Sequence, residues 1–599
     1  MRPPLLLFLL CWITFGWFHQ GGGWNQNARF AEVRAIVEQG RFAIDDYLVY
    51  DAQGNHRRRA IIEGEYFHEG RLHVLCWPAP KGPPQPVNGK PLPAGATAVL
   101  VGQDTASGDI GYGRDGRFHP NKPPGTTLLA VPIYFVVYHL EKMAGWDPDH
   151  WWVMTVNLWL CSLFTVGLAS AVCVVLVAKV GADLFPAHPR AALAAALAFG
   201  FGTTFFPFAT LLFDHNLTAA LLLGSFAAVR RDRPILAGGL VGAAAVTNYL
   251  AAVPGVAFGI WALARNRRAA LPYLAGVVPP ALLLLTYNAV ALGSPFALNT
   301  DFQNPMFKET APALFGMFTA PSWFAAQVLT ISPWRGVFVL SPVLIMAVIA
   351  LVRWPANLRV ERRLIVGIAA FFFLINITFN GFHGGMAAGP RYLIPALPFL
   401  CLALVPVFAA APIASAILGI FGIVQQTLLT ATDALNPVGV SDHAWQNHPD
   451  EWKEKLHGNS IVWQYAWPIF SQERAWPVIR KEFAENGPYP QAELNYPQPR
   501  SIDDTHAWAA VVNGREEPVP LAAMPGPVSA NVVGPAESGF FQHAAPYSAQ
   551  ATWAAFNVGE FIFPQSRWSL APLLVLWGAA GIFAMRRQRL EFRGAGGGG

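Results

Sequence analysis

The feature that most limits what this chain can become is a succession of apolar runs, each of roughly 15 to 28 residues, the length that crosses a hydrocarbon layer. They fall at 3–18, 151–178, 191–212, 216–229, 234–247, 249–264, 269–292, 336–352, 364–379, 392–410, 412–431 and 568–585. Hydrophobic residues make up 53% of the 599, charged residues only 13%, and the mean hydropathy is +0.35. A chain of that composition takes the bilayer as its solvent, and the expected fold is an all-α polytopic membrane protein of about twelve spans. The runs at 216–229 and 234–264 are short for full crossings, which leaves partial spans or broken helices open there.

Loop charge orients the chain. The net charge is only +5, and its basic residues gather in compact loops at 230–233, 265–268, 353–363 and 586–589. That is the positive-inside pattern of a membrane protein and argues against a nucleic-acid partner. With these loops in the cytoplasm, the parity of the runs puts residues 19–150, 214–215, 293–334, 380–392 and 432–567 outside, and both termini inside. Counting the apolar stretch 125–139 as a span would invert every later loop. It is therefore expected to lie at the outer interface as a juxtamembrane helix. Residues 25–39 carry Phe30, Val33, Ile36 and Val37 at helical spacing, with Arg29, Glu32, Arg34 and Glu38 off that face, so a second interfacial helix is expected there.

Three regions result: a transmembrane module at 1–431 with its large first outer loop at 19–150, an extracytoplasmic cap at 432–567, and a last helix with its tail at 568–599. The first run has a signal-peptide-like core, but Phe18-His19-Gln20 offers no small-residue cleavage site, so an uncleaved helix is expected. The cap is rich in proline, tryptophan and asparagine and reads as loops with short helices near 450–456 and 475–486. Residues 594–599 read as a disordered tail. Of the five cysteines, Cys11, Cys161, Cys173 and Cys401 fall in apolar segments, and Cys76 stands alone in the first loop as a packed thiol. Neither a disulfide framework nor a structural zinc site is supported.

The runs hold essentially no ionisable residues in their interiors, whereas ion-coupled transporters usually carry them at mid-membrane depth. The ionisable residues cluster at the outer interface, where a site would meet a lipid-linked substrate at its headgroup.

Several motifs occur in a particular order: NQNARFAEVRAIVEQG, KPPG, YNAVALGSPF, SPWRGVFVLSPVL and GPRYLIPALPF. Together, over roughly residues 20–400, they resemble the GT-C membrane glycosyltransferases, in particular the protein O-mannosyltransferase and lipid A aminoarabinose transferase branch. The resemblance implies a polyprenyl-phosphate sugar donor, approached from the outer leaflet of the cytoplasmic membrane, with inverting transfer to a protein, lipid or glycan acceptor. Such chemistry needs a carboxylate to take the acceptor's proton. It also needs arginine, lysine or a metal ion to stabilise the leaving lipid phosphate.

In these relatives the base sits in a motif resembling DExRYAE, and the matching stretch here is Gln26-Asn27-Ala28-Arg29-Phe30-Ala31-Glu32. An amide cannot act as the base. The role then falls to Asp45 or Asp46 in IDDY, or to Asp109 in SGDIGYG, each of which also reads as a solvent-facing turn acid. Asp214-His215 matches a second acidic position and would orient the acceptor or share a divalent cation with an aspartate of the first loop. Asp214 also suits the N-cap of the helix that follows. Arg391 in GPRY matches a phosphate-binding position, and Lys122 in NKPPG lies at the same level; either could instead snorkel to headgroups. His383 in FHGG is a weaker substrate-binding candidate. The relatives' TKGP-like turn reads Thr247-Asn248-Tyr249 here, without its lysine. Two other activities fit the same outer-leaflet setting: a lipid-linked oligosaccharide polymerase or ligase, and a non-catalytic flippase for lipid-linked glycan.

Overall fold

The computed structural model describes residues 3–20, 23–51, 58–59, 61–68, 71–77 and 97–100, then 105–432 apart from 305–306, 308–313, 315–316, 334 and 386. Beyond these it describes 460–471, 497–499, 508–512, 515–519, 556–563 and 567–582. The expected cap helices near 450–456 and 475–486 lie outside the described residues, as does most of the cap.

The molecule is mostly helical, and each apolar run of the sequence coincides with a helix or a broken helix pair. Among the described residues three helices can cross a membrane by length and composition, at Val153–Leu184, Arg267–Ala291 and Pro412–Thr432. The pair Arg391–Leu402 and Leu404–Ala410, bent by 45°, would add a fourth if it forms one span. The remaining apolar helices are shorter, among them α1 (Pro3–Gly16), Pro189–Gly202, Pro234–Thr247, Tyr249–Arg265 and Arg567–Ile582.

Small residues let these helices approach closely. A side chain at Gly238 would collide with the Tyr273 carbonyl, and one at Gly276 with the Ile235 carbonyl, so Pro234–Thr247 and Ala270–Ala291 pack almost backbone to backbone. Between apolar helices in lipid such contact replaces the hydrophobic driving force.

The loops meet in two sets. At one end Arg230 pairs with Glu361, Arg231 with Asp183 at 2.7 Å, and Arg265 with Asp232 at 3.4 Å. At the other end lie α2 (Trp24–Gln39), α3 (Gly125–Ala144) and the loops around residues 214, 248, 299 and 391. The starting residue of α3 abuts Thr247, and its last turn reaches the first turns of the next helix, where Asn157 donates to Glu141 at 3.1 Å. Both ends of α3 therefore touch the same end of the molecule.

Two expectations need correction. α2 is not an amphipathic surface helix: Arg29, Glu32 and Arg34 are buried along with Phe30 and Val33, because α3 and the loops of that end close over its polar face. The first long loop also holds strands that an all-helical reading missed. Ile61–His68, Arg71–Trp77 and Thr97–Leu100 form an antiparallel three-stranded sheet, with Cys76 in its central strand. Ile110–Tyr112 and Phe118–Pro120 form a hairpin. Its alternating apolar residues and the glycines at 111, 113 and 116 are strand and turn signals, outweighed in the sequence by the helical runs around them. After the cap the chain returns to the end of α1, where Phe18–His19 pairs with Phe556–Asn557.

Candidate functional site

The site is assembled on α2. Its first turn is clamped by the two amides that stand where the resemblance would put acids. The Asn27 side chain accepts from the Gly23 N–H at 3.2 Å and donates to the Ala106 carbonyl at 2.8 Å, while Gln26 accepts from the Leu212 N–H at 3.4 Å. Ser107 adds a bond to the Trp24 carbonyl at 2.7 Å and caps the Asp109 N–H at 2.9 Å. Gln26 and Asn27 thus join α2 to the segments that carry Asp214 and Asp109. An amide does this better than a carboxylate, because it can donate as well as accept.

One turn along, Arg29 is fully buried and its donors are distributed over three partners: Asn25 at 3.0 Å, the Pro123 carbonyl at 3.1 Å and Asp214 Oδ1 at 2.8 Å. Asp214 precedes the helix His215–Arg230 as its cap residue but makes no capping bond; its second oxygen accepts from Asn248 at 2.9 Å. The asparagine in the lysine-less turn thus holds the carboxylate that Arg29 pairs with. Burial would raise the Asp214 carboxyl, but His215, Arg29 and the Asn248 amide hold it well below the usual range, at about 2. Burial pushes the His215 imidazole down to about 4, against the pull of Asp214 and helped by Arg391, Arg29 and Lys122. At neutral pH the pair is a carboxylate beside a neutral imidazole.

The hairpin supplies the next two groups. Asp109 precedes its first strand and Lys122 follows its second, and the Asn121 N–H closes onto the Asp109 carbonyl at 3.1 Å, so Lys122 Nζ lies 3.0 Å from Asp109 Oδ1. The glycine of KPPG has a steric reason: a Cβ on Gly125 would run into Thr247, so this loop seats directly on the Thr247-Asn248 turn. Arg391 completes the group. Its guanidinium stacks over Phe213 at 5.2 Å and Tyr392 at 5.0 Å, donates to the Tyr392 hydroxyl at 3.1 Å, and feels the charges of Asp109 and Asp214.

Two groups in this cluster are unsatisfied among the described residues. The Arg391 Nε is buried with no hydrogen-bond partner, and so are both ring nitrogens of the buried His215, whose Nδ1 lies 3.4 Å from Asp214 Oδ2. Buried polar atoms are rarely left so, and here they border a cluster of three cations, Arg29, Lys122 and Arg391, with two carboxylates, Asp109 and Asp214. One positive charge is in excess. The arrangement can hold an anion against Arg391 and Lys122 and offers Asp109 as a proton acceptor beside it.

Five of the residues singled out in the sequence, Asp109, Lys122, Asp214, His215 and Arg391, thus come together. Asp45 and Asp46 do not. Asp45 lies at the turn end of the hairpin, buried, accepting weakly from Phe118 N–H at 3.4 Å; burial raises its carboxyl, opposed in part by the backbone N–H groups of Asp45 and Phe118 and less by Arg117 and His119. Asp46 is half-exposed and tied to Arg41 at 2.5 Å and Gln39 at 2.8 Å. His383 belongs to a wall of the site: its Nδ1 accepts from Gly385 N–H at 3.0 Å, its carbonyl accepts from Arg335, and the next residue, Gly384, abuts Arg391. No group of three metal-binding side chains occurs among the described residues, and both carboxylates that a divalent cation would bridge are engaged by cations of the chain itself.

Arg29 and Glu32, which the sequence pattern left off the apolar face, are buried beside this cluster. The resemblance would have pointed to them, as the arginine and the last acid of the stretch that resembles DExRYAE. Comparison with protein-family models, with curated proteins and with solved structures finds no match for this chain.

Proposed function

We propose that this chain is a polytopic membrane glycosyltransferase of the GT-C kind, taking a sugar from a polyprenyl-phosphate donor on the outer face of the cytoplasmic membrane. In this reading the basic loops at 230–233, 265–268 and 353–363 face the cytoplasm and the end bearing α2 and α3 faces outward, by the positive-inside rule. The observation that carries the proposal is the cluster of Arg29, Lys122 and Arg391 with Asp109 and Asp214, whose excess charge and unsatisfied Arg391 Nε suit a lipid phosphate.

The geometry supports the following division of labour. Arg391 and Lys122 bind the phosphate and stabilise its charge as the glycosidic bond breaks. Asp109, largely buried and turned toward both cations, accepts the proton of the acceptor hydroxyl as that oxygen attacks the anomeric carbon. Asp214, locked to Arg29 and Asn248, acts as a positioning group rather than a base, since a carboxyl held at about 2 is a poor proton acceptor. Asp45 and Asp46 have no part in the chemistry.

The test uses the purified full chain with a panel of short-chain polyprenyl-phosphate sugars and crude envelope acceptors. Transfer is expected from the wild type and is expected to vanish in Asp109→Asn and Arg391→Gln while Asp45→Asn retains it. Lipid movement across vesicles that survives Asp109→Asn, with no polyprenyl phosphate released by the wild type, would replace this reading with a flippase. A requirement for a multi-sugar donor would replace it with a polymerase or ligase.

A further inference from the structure

Glu32 is the buried charged group that the proposed chemistry leaves without a role. It lies on α2 one turn beyond Arg29, with no solvent exposure. Tyr287 donates to its Oε1 at 2.5 Å, and Asn299, which donates to the Pro120 carbonyl at 2.9 Å, lies 3.5 Å from the same Tyr287 hydroxyl. Tyr249, next to Asn248, donates to Asn299 Oδ1 at 2.8 Å. The carboxyl is therefore connected through Tyr287 and Asn299 to the loop that carries Lys122 and to the turn that holds Asp214. Its Oε2 has no hydrogen-bond partner of good geometry among the described residues, and the Thr127 hydroxyl of α3 faces the carboxyl.

The charged and titratable groups facing it are Arg29 on its own helix, Tyr287 on Ala270–Ala291 and Tyr249 on the turn after Pro234–Thr247, with Asp301 behind Tyr249. Among the described residues only Arg29 offers it a positive charge, and Arg29 is already paired with Asp214. A second carboxylate on one arginine, with an oxygen left bare in a dry setting, is held poorly as an anion.

We propose that Glu32 is a proton-linked positioning residue that sets the anion affinity of the neighbouring cluster. With Glu32 neutral, the three cations and two carboxylates leave one positive charge for a phosphate. With Glu32 ionised, a third carboxylate shares Arg29, the cluster is neutral and the phosphate is released. This rests on the anion-site reading of the cluster. Burial raises the Glu32 carboxyl to about 7, against the Tyr287 and Thr127 hydroxyls and the charge of Arg29. The change of state therefore falls near neutral pH, while Asp214 and His215 titrate well below it.

The experiment measures binding of a short-chain polyprenyl-phosphate hexose, whose phosphodiester keeps a single charge throughout, to the full chain between about pH 6 and about pH 8. The wild type is expected to lose affinity as pH rises, by up to roughly tenfold, the factor of one pKa unit of coupling. Glu32→Gln is expected to keep tight binding with a flat profile. Tyr287→Phe, which removes the hydrogen bond favouring the carboxylate, is expected to move the wild-type decline to higher pH. If Glu32→Gln declines in parallel with the wild type, or if Tyr287→Phe leaves the midpoint in place, Glu32 does not control the site. Should Glu32→Gln fail to fold, the Tyr287→Phe midpoint decides alone. Absence of binding by the wild type at every pH, or binding equal to that of Arg391→Gln, would instead remove the anion-site reading itself.

Discussion

Arg29 and Arg34 lie on the same helix and are both buried, yet they belong to networks of opposite kind. Arg34 donates to Glu38 at 2.6 Å and to Asp149 at 2.5 Å, and stacks over Tyr47 at 4.9 Å. Glu38 in turn accepts from Tyr134 at 2.7 Å and from Tyr47 at 3.2 Å. That network closes on itself and joins α2 to α3, to the segment after α2 and to the approach of the helix that starts at Trp151. The Arg29 network stays open: Arg391 Nε, the His215 nitrogens and Glu32 Oε2 lack partners among the described residues. Both sets of charges are costly to bury, and only the open one has capacity left for a ligand. A closed ionic network is a joint, while an open one of mixed charge is a candidate site.

The comparison can be broken most severely at the open network. Asp109→Asn is expected to lower transfer by about 100-fold or more, the usual worth of a general base, with thermal unfolding unchanged. Transfer within a few-fold of wild type would move the base elsewhere. At the closed network the expected damage is to stability. Arg34→Met leaves Glu38 buried without its cation and should cost about 3–5 kcal/mol in detergent unfolding. A wild-type denaturation midpoint would show that the joint contributes nothing to stability.

A third measurement sharpens the contrast through pH. Glu32 has a folded value of about 7 against an ordinary 4.5, so the folded state binds the extra proton and its stability falls as pH rises through that window. The wild type should therefore lose stability relative to Glu32→Gln between pH 4.5 and about 7, and the gap should level off above it. A constant gap across a thermal-shift series would mean that Glu32 titrates normally. The smallest effect belongs to Asp46→Asn, which removes a half-exposed pair and should change stability by less than about 1 kcal/mol and transfer not at all. Loss of transfer in that variant would return the base to IDDY.

Much of the site was legible before the fold. Asp214, His215 and Arg391 could be named because the resemblance implies an acidic and a phosphate-binding position there, Lys122 as a second cation at that level, and Asp109 as one of three aspartates left once the amides Gln26 and Asn27 are set aside. The choice among the three aspartates of the first loop was not legible. Asp45, Asp46 and Asp109 are alike as turn acids. What separates them is which end of the hairpin each one meets, a pairing between strands that the local sequence does not specify. The Arg29 and Glu32 assignments failed for a related reason. Helical spacing sorts residues by face, and it cannot tell whether the polar face meets water or another layer of protein.

The sequence by itself determined the helical character, the position of the apolar helices and the sorting of loops into two ends, because hydropathy and loop charge act residue by residue. Tertiary structure decided that a helix with two arginines and two glutamates would be buried. It also decided that two amides would clamp that helix where acids were expected, and that one of its ionic networks would close and the other stay open. Those outcomes depend on which partners are brought within hydrogen-bond distance, and residues as far apart in the chain as Arg29, Asp214 and Arg391 meet only when the helices pack.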